Sequence, residues 1–380
     1  MRFRTILLLA IFINLLFFPF QQVVTYARQS GKNPPEQEFT CGINTVLNEV
    51  MDNTTVDQWA GWVRKLSGEE IVSVGGQKTR LTTRYSPAMF ARRSNALAFD
   101  YVLEQVRGWV DESQIEVDPY PMEWEGKYAT WKNLIVTLPG TSKTNEVVVM
   151  SAHLDTISDD PYQLAPGAED NASGSATLLE AVRLLHDLRF ERTIRIIWFT
   201  GEEEGLFGSE AYAADHDVQN IIGVINLDMF GYDSNNDRCM ELHVGTLPAS
   251  DRIGRCFQST AWSYGILLNY DYLKEDAFYG ASDYGPFWDR GIGAIEVLEN
   301  YADQQKPGGC KGVDQNPHYH TPSDTVKYMN LPLGFDIART GLGTLVNMAV
   351  PLDAQTQEVP PLAQLWFLVQ WILQSILSNF

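Results

Sequence analysis

Basic residues are scarce in this sequence. Its 380 residues include 28 lysines and arginines against 48 aspartates and glutamates, which gives a formal net charge of -20 at pH 7. Nucleic acid is therefore not an expected partner, because binding to phosphates requires a basic surface. The sequence also lacks an internal repeat, which argues against a solenoid or propeller architecture.

Cysteine is scarce as well, with four residues in the chain: Cys41, Cys239, Cys256 and Cys310. These cysteines are too widely spaced for a structural zinc motif, in which short CxxC-type spacings are expected. Their even number permits two disulfides in an oxidising compartment, and four cysteines allow three connectivities. We expect the pairs Cys239–Cys256 and Cys41–Cys310.

The beginning of the chain is typical of a secretory signal peptide. Residues 1–27 start with Arg2 and Arg4, continue with the apolar stretch 6–20 and end with Thr-Tyr-Ala, a small-residue cleavage site. An uncleaved signal anchor is the alternative interpretation. Either one predicts that the globular part is secreted or extracytoplasmic, in a periplasm or at a cell surface.

The predicted organisation is one domain between two linkers. Residues 28–40 and 351–361 are polar and contain prolines, which indicates linkers on either side of a domain at 41–350. The tail at 362–380 is uncharged and mostly apolar. Three interpretations of this tail are open: an interfacial membrane helix, a marginal transmembrane segment, or an arm that docks on the protein itself or on another subunit.

Between the linkers, predicted strands alternate with predicted helices. Buried apolar runs predict strands, and helical spacing of apolar residues predicts helices. The strands are expected at 134–138, 146–150, 194–200, 221–227 and 294–298, and the helices at 46–66 with a break near 53, 94–110, 173–188, 209–214, 251–263 and 330–350. This alternation predicts a three-layer α/β fold with a largely parallel, mixed central sheet and helices on both faces.

Acidic and imidazole residues follow three of these strands directly. His153 and Asp155 follow the second strand, Glu202 and Glu203 the third, and Asp228 the fourth. Because ligands bind at the carboxyl ends of strands in open α/β sheets, we expect these side chains at one rim.

Two further residues complete the candidate set. Asp170 precedes a predicted helix, and His320 stands in the segment HYHTPSDT. Imidazole and carboxylate ligands together suit zinc, although cobalt or manganese can occupy similar ligands.

Adjacent glutamates can divide two tasks at such a centre. One ligates a metal while the other acts as the general base for the attacking water. Asp155 is positioned to hold the far ring nitrogen of His153, and Asp324 is a candidate for the same role at His320.

Six motifs occur in the order found in one enzyme family. They are SAHLDT, GAEDNASG, GEEEGLFGS, INLDMFGY, SDYGPF and HTPSDT. Together they resemble the di-zinc exopeptidases of the aminopeptidase and glutaminyl cyclase superfamily, over roughly residues 133–350. The resemblance implies a zinc-exopeptidase-like fold, two zinc ions per chain and peptide substrates.

The resemblance also implies roles for individual residues. His153 and Asp228 would hold one zinc ion, Glu203 and His320 the other, and Asp170 would bridge both. Glu202 would be the general base.

Two register choices enter this assignment. Counting back from the GS of GLFGS places the paired glutamates of the family at Glu202 and Glu203, not at Glu204. The family's histidine ligand precedes Thr-Pro, which selects His320 over His318.

The motif SDYGPF lies in a region that lines the substrate site of relatives. Ser282, Asp283 and Tyr284 are therefore expected to bind substrate. Many relatives have histidine where this chain has Tyr284, and this difference concerns the substrate contacts but not the ligands.

The expected function is an extracytoplasmic zinc aminopeptidase that removes N-terminal residues from peptides. A glutaminyl cyclase with a single zinc ion is the alternative within the superfamily, and it would need only Asp170, Glu203 and His320. A carboxypeptidase is also open, because the same metal centre serves both ends of a peptide. The alternative from another class is a non-catalytic binding ectodomain, but such domains typically lose ligands or the base, and all are present here.

Overall fold

A computed structural model describes residues 39–87, 95–274, 281–301 and 309–352. The predicted signal peptide and the apolar tail at 362–380 lie outside these residues, as do nearly all of the linker at 28–40 and of that at 351–361. None of the helices within the described ranges combines the length and the apolar character that a membrane crossing requires.

Eight strands form the central sheet, in the order β3-β4-β6-β5-β7-β10-β8-β9. A separate two-stranded antiparallel sheet consists of β1 (Val72–Val74) and β2 (Gln77–Thr79). The strands of the central sheet are β3 (Ile115–Trp124), β4 (Lys127–Leu138), β5 (Lys143–His153), β6 (Arg192–Phe199), β7 (Ile221–Leu227), β8 (Cys239–His243), β9 (Asn269–Leu273) and β10 (Ala294–Glu299).

The four central strands of this sheet, β6, β5, β7 and β10, run parallel to one another. The pairs β3–β4, β4–β6 and β8–β10 are antiparallel, and β8–β9 is parallel. The sheet is therefore mixed, with a parallel centre, and the predicted fold class is confirmed. The carboxyl ends of the four central strands lie at one rim, because parallel strands point the same way.

Eight α-helices lie in the described residues. They are α1 (Thr45–Asp52), α2 (Val56–Leu66), α3 (Asn95–Arg107), α4 (Ala172–Leu185), α5 (Phe207–Asp215), α6 (Pro248–Ser263), α7 (Gly285–Trp288) and α8 (Leu331–Ala349). The predicted break near Asn53 is real. The α1 helix ends there, and the side chain of Thr55 caps α2 by accepting from the backbone N–H of Gln58 at 3.2 Å.

Helices cover both faces of the sheet. The larger core cluster joins α2, α4, α6 and α8 to one face, and a smaller cluster joins α5 and α7 to the other. The strand β6 is buried at seven of its eight positions. A strand buried on both faces appears as a continuous apolar run in the sequence, which is why IRIIWF was recognisable as a strand.

The disulfide pairing differs from our expectation. The structure pairs Cys41 with Cys256 and Cys239 with Cys310, with Cα–Cα distances of 5.3 and 5.4 Å. The expected pairs, Cys239–Cys256 and Cys41–Cys310, are therefore wrong.

Neighbouring hydrogen bonds explain the observed pairs. The backbone carbonyl of Cys41 accepts a 3.1 Å hydrogen bond from the hydroxyl of Ser259, so the segment before α1 lies along α6, which carries Cys256. The backbone N–H of Cys310 donates to Asp271 at 3.0 Å, on the strand next to the one that begins at Cys239. Tertiary packing, and not distance along the chain, decides the partners.

Candidate metal centre

His153 is the last residue of β5 and is almost completely buried. Its Nε2 lies 2.9 Å from Oδ1 of Asp228 and 3.2 Å from Oδ1 of Asp170. Its other ring nitrogen, Nδ1, lies 3.1 Å from the backbone carbonyl of Asp155 and 3.9 Å from the carboxylate of that residue. The imidazole is thus oriented by the backbone carbonyl of Asp155, and not by the carboxylate of that residue, which was the group expected from the sequence.

The carboxylate of Asp155 lies close to the next strand end. Its Oδ2 accepts a 3.3 Å hydrogen bond from the backbone N–H of Glu203, just beyond β6. Asp155 therefore supports two candidate ligands at once, His153 through its carbonyl and Glu203 through its carboxylate.

Asp170 lies just before α4, opposite two imidazoles. One of its oxygens faces His153, and Oδ2 lies 3.1 Å from Nε2 of His320. The peptide bond between Asp170 and Asn171 is cis. The side chain of Asn171 caps α4 by accepting from the backbone N–H of Gly174 at 2.8 Å, and it also donates to the carbonyl of Leu227 on β7. The end of the helix is thereby tied to the rim of the sheet.

Asp324 supports Asp170 and not His320. Its two carboxylate oxygens accept from the backbone N–H groups of Glu169 and Asp170, both at 3.1 Å. The role that the sequence suggested for Asp324, holding the far nitrogen of His320, is not the one seen here. Asp324 instead positions the backbone on which Asp170 stands.

Two groups of potential ligands share Asp170. The first consists of His153, Asp170 and Asp228, and the second of Asp170, Glu203 and His320. Within each group the ligand atoms lie within 4.8 Å of one another. In the second group Nε2 of His320 also lies 2.9 Å from Oε2 of Glu203. All five residues proposed as ligands from the sequence therefore meet at one place.

The donor set fits a pair of zinc ions. Each group offers one imidazole nitrogen and two carboxylates, which are ligands that zinc takes. In addition, Nε2 of His320 is buried and has no hydrogen bond of acceptable geometry within the described part of the chain, although carboxylate oxygens are near. A cation bound at this place would give this nitrogen a partner.

The charges at the centre shift one another's pKa values. Burial raises the pKa of Glu203 to about 7. Burial opposes charge on His320, but the nearby carboxylates of Asp170 and Glu203 outweigh it and raise the pKa of that imidazole to about 10. Burial likewise opposes charge on Asp170, but the two imidazoles prevail and lower the pKa of its carboxyl. The positive charge of the imidazoles thus partly balances the negative charge of the carboxylates.

Glu202 lies at the edge of this centre. Its Oε2 is 4.0 Å from Nε2 of His153, and it belongs to neither ligand group. Burial raises the pKa of its carboxyl well above the usual range, against the opposing effect of His153. A carboxylate beside the ligands that holds a proton more tightly than usual suits a general base.

The two alternatives that the register argument rejected lie elsewhere. Glu204 is in neither ligand group, and burial raises the pKa of its carboxyl to about 10. The Nδ1 of His318 lies 2.8 Å from the hydroxyl of Ser323, and its ring stacks on Tyr328. Glu204 and His318 thus both lie outside the two ligand groups that share Asp170.

A family comparison decides the class of the protein. The model of peptidase family M28 matches residues 133–342, more than half of the chain. The chain belongs to peptidase family M28. The family predicted from the six motifs and the predicted enzyme class, a peptidase, are thereby confirmed.

Relatives of this M28 chain are 25–30% identical to it over the aligned residues. A probable leucine aminopeptidase from Trichophyton verrucosum (strain HKI 0517) is 25% identical over 298 residues, which cover 76% of this chain and 75% of the relative. Leucine aminopeptidase 1 of Trichophyton rubrum is 30% identical over 231 residues, 57% of this chain and 58% of the relative. The match to this second relative thus covers less than two thirds of its length.

Solved structures share the fold of this M28 chain. The LapA aminopeptidase of Legionella pneumophila superimposes with a TM-score of 0.62 at 18% identity, covering 86% of this chain and 79% of that one. A glutaminyl cyclase from an Acidobacteriales bacterium gives 0.57 at 16% identity, covering 84% and 99%. At these identities the likeness establishes the fold only.

The predicted substrate residues of the M28 chain lie behind the centre. Ser282 donates a 2.6 Å hydrogen bond to Oδ2 of Asp228 and accepts one from Asn226. Asp283 and Tyr284 are fully buried, and the Tyr284 ring packs against Trp288. The structure thus brings Ser282 to a candidate ligand and keeps the other two in the protein interior.

A cavity of about 150 Å³ opens at the centre. Its described lining consists of the five residues His153, Asp170, Glu202, Glu203 and Asp228, together with Met229, Ala281, Glu296, Leu298, Tyr301 and Tyr319. Sequence reasoning missed all of the second group. One signal was available, because Glu296 interrupts the apolar run AIEVL, and a charged residue within a buried strand often serves a site.

Proposed function

We propose that this chain is an aminopeptidase that uses two zinc ions. The observation that carries the proposal is the pair of ligand groups joined by Asp170. His153 and Asp228 would hold one ion, and Glu203 and His320 the other. Two metals that share one bridging carboxylate are a recurrent arrangement in hydrolases.

The zinc pair would supply Lewis acidity toward the carbonyl of the scissile amide and toward water. The protein supplies the proton transfer. The carboxylate of Glu202 accepts a proton from the attacking water and returns it to the amine that leaves. Burial raises the pKa of the Glu202 carboxyl, which makes its carboxylate a stronger proton acceptor.

Three observations favour an aminopeptidase within the family. The relatives described above are named leucine aminopeptidases. The cavity is small, so that it takes one terminal residue of a peptide and not an extended chain. Its wall is acidic, which suits a free α-amino group and disfavours a free carboxylate.

A glutaminyl cyclase is the second candidate, and the first ligand group argues against it. An enzyme with a single zinc ion needs only Asp170, Glu203 and His320. Here His153 and Asp228 are also in place, 2.9 Å apart and next to Asp170. The complete set also disfavours a binding ectodomain without activity.

We further propose that the protein acts outside the cytoplasm on peptides. Two disulfides join cysteines that are 215 and 71 residues apart in sequence. Such bonds persist in oxidising compartments. The predicted signal peptide supports the same location. The proposed contact of residues 362–380 with a membrane or a subunit lies outside the described residues and stays a prediction.

The first test combines metal content with a panel of aminoacyl p-nitroanilides. We expect close to two zinc ions per chain and cleavage that a chelator abolishes and zinc restores. One zinc ion with no cleavage, but with cyclisation of N-terminal glutamine, would instead establish the cyclase. Absence of both metal and turnover would favour the binding ectodomain.

Glu202→Gln tests the assignment of the base. Since the substitution removes the base but no ligand, we expect kcat to fall by about 10²- to 10⁴-fold with zinc content unchanged. Glu204→Gln is the matched control, two residues along, and should keep kcat within about tenfold. A fully active Glu202→Gln enzyme would refute the role of Glu202.

A further inference from the structure

A third group of potential ligands lies away from the metal centre, at the edge strand β3 of the central sheet. It consists of Glu116 and Asp118 on β3 and of His216, the residue that follows α5. One ring nitrogen and one oxygen from each carboxylate lie within 4.8 Å of one another. None of the three residues is among the described residues that line the cavity at the metal centre, so the proposed chemistry does not use this group.

The fold brings these residues together by packing α5 against one face of β3. Residues two apart on a strand share a face. Glu116 and Asp118 therefore face the same side as Tyr120, which is buried and packs in a cluster with Phe207, the first residue of α5. The other end of this helix brings the imidazole of His216 to the two carboxylates.

The imidazole of His216 is held with one nitrogen toward the carboxylates. Its Nδ1 lies 3.1 Å from the backbone carbonyl of Tyr212, and the two rings stack with their centroids 4.3 Å apart. Because a carbonyl oxygen only accepts, Nδ1 donates to it, and Nε2 carries the lone pair of the neutral ring. This Nε2 lies 3.4 Å from Oε1 of Glu116. Histidines that bind a metal are commonly oriented by such a carbonyl behind the ring.

The carboxylate of Asp118 is fixed from its other side. Its Oδ2 accepts a 3.1 Å hydrogen bond from Nδ2 of Asn133, the residue opposite it on β4. The side chain of Asn133 is completely buried and also donates to the backbone carbonyl of Gly208 on α5. Among the described residues no other hydrogen bond reaches the Asp118 carboxylate, so one of its oxygens is open to an ion.

The positive charge around the two carboxylates is small. Within the described ranges Glu116 forms an ion pair with His216 alone, and Asp118 forms none. Arg195 on β6 donates to the hydroxyl of Tyr212 at 2.6 Å and pairs with neither carboxylate. One imidazole, even when protonated, balances only one of the two negative charges. A divalent cation would balance both.

We propose that Glu116, Asp118 and His216 form a zinc site separate from the zinc pair of the metal centre. One imidazole and two carboxylates are the same donors that each group of that centre offers. The side chain of Glu116 is 55% exposed, so water can complete the coordination. The imidazole favours zinc over calcium and magnesium, which prefer oxygen ligands. A bound ion would join the end of α5 to β3. The proposal goes beyond the aminopeptidase function and does not rest on it.

Equilibrium dialysis of the full chain against zinc chloride over a range of concentrations, with zinc per chain measured by mass spectrometry, tests the site. We expect His216→Ala to bind one zinc ion fewer than wild type. Glu116→Gln keeps the size of an exposed side chain but removes a charged ligand. It should weaken the binding of that ion by at least about tenfold.

His186→Ala is the matched control. The Nδ1 of that imidazole also lies against a backbone carbonyl, that of Arg183 at 2.9 Å, and its Nε2 lies 3.3 Å from a carboxylate oxygen of Asp187. It belongs to none of the ligand groups of the described residues, because a second carboxylate is missing. We therefore expect this substitution to leave the zinc count unchanged.

Equal zinc counts for wild type and His216→Ala would overturn the proposal. An equal loss in His186→Ala would also overturn it, because that result indicates adventitious binding to surface histidines. Displacement of the ion by excess magnesium or calcium would contradict the assignment to zinc. Failure of the proposed function would look different, because absence of the zinc pair lowers the count of wild type and of His216→Ala alike and leaves the difference of one ion.

Discussion

Asp170 is the residue on which the candidate centre depends most. Its two carboxylate oxygens face different imidazoles, His153 and His320, at 3.2 and 3.1 Å. Its backbone N–H donates to Asp324, which is 3% exposed. The carboxylate of Asp324 thus positions that of Asp170 by accepting from its backbone N–H group, and no contact between the two side chains is needed.

Asp324→Ala tests this support. The change leaves the N–H groups of Glu169 and Asp170 without their acceptor, and each buried unsatisfied donor costs about 1–3 kcal/mol. We expect the free energy of unfolding, measured in urea with a chelator present, to fall by about 2 kcal/mol or more. Zinc affinity should weaken as well, because Asp170 loses its position.

Asp324→Asn is the matched variant, because it keeps one carbonyl oxygen as an acceptor. It should lie between wild type and alanine in both measurements. If all three proteins bind zinc equally tightly, Asp324 does not position Asp170.

At the scale of elements, the direction of the strands assembles the centre. The strands β5, β6 and β7 are parallel, so the residues that follow them emerge at one rim. The helix α4 delivers Asp170 to the same rim, where Asn171 ties it to Leu227. The segment around His320 belongs to no helix or strand. Its position therefore depends on the residues that precede it.

The disulfide between Cys239 and Cys310 lies on that chain, ten residues before His320. We expect replacement of both cysteines by serine to lower the free energy of unfolding by about 4 kcal/mol, because a closed loop of this length restricts the unfolded chain. Replacement of Cys41 and Cys256 should cost about 5 kcal/mol, since the loop is longer. Denaturant unfolding of the two double variants measures both values.

Peptide mapping of the unreduced protein supplies the accompanying check. A fragment that joins Cys41 to Cys256 is expected. A fragment that joins Cys239 to Cys256 would contradict the observed pairing.

At the scale of the whole molecule, the main unfavourable electrostatic contribution to folding is a cluster of buried carboxylates, in a chain of net charge -20. Burial raises the pKa of Glu203 to about 7 and that of Glu202 well above its usual range, which shows how unfavourable their negative charges are without a cation. Metal ions would therefore stabilise the fold as well as serve the chemistry.

Removal of metal should accordingly lower thermal stability. Zinc at about 100 times its Kd adds about 2.7 kcal/mol to the free energy of unfolding. We expect the Tm of chelator-treated protein to rise by several degrees on addition of zinc, but not of magnesium, because imidazole ligands favour zinc. An identical Tm with and without zinc would show that these residues do not form a metal site.

The sequence by itself determined the parallel centre of the fold and the residues that meet at its rim. The strand β7 was predicted at 221–227 and is found there, because a buried strand is a continuous apolar run whose end is visible where Asp228 begins. The candidate ligands were recognisable for the same reason, since each stands at an element's end or in a motif.

Only the tertiary structure decided what depends on contacts between distant segments. The strand β8 escaped prediction because Glu241 and His243 make it look polar, although all its residues are buried. The cysteine partners, the support of Asp170 by Asp324 and the approach of Glu296 to the centre have the same origin. Each is set by which elements pack side by side, and periodicity along one segment carries no information about its neighbours in space.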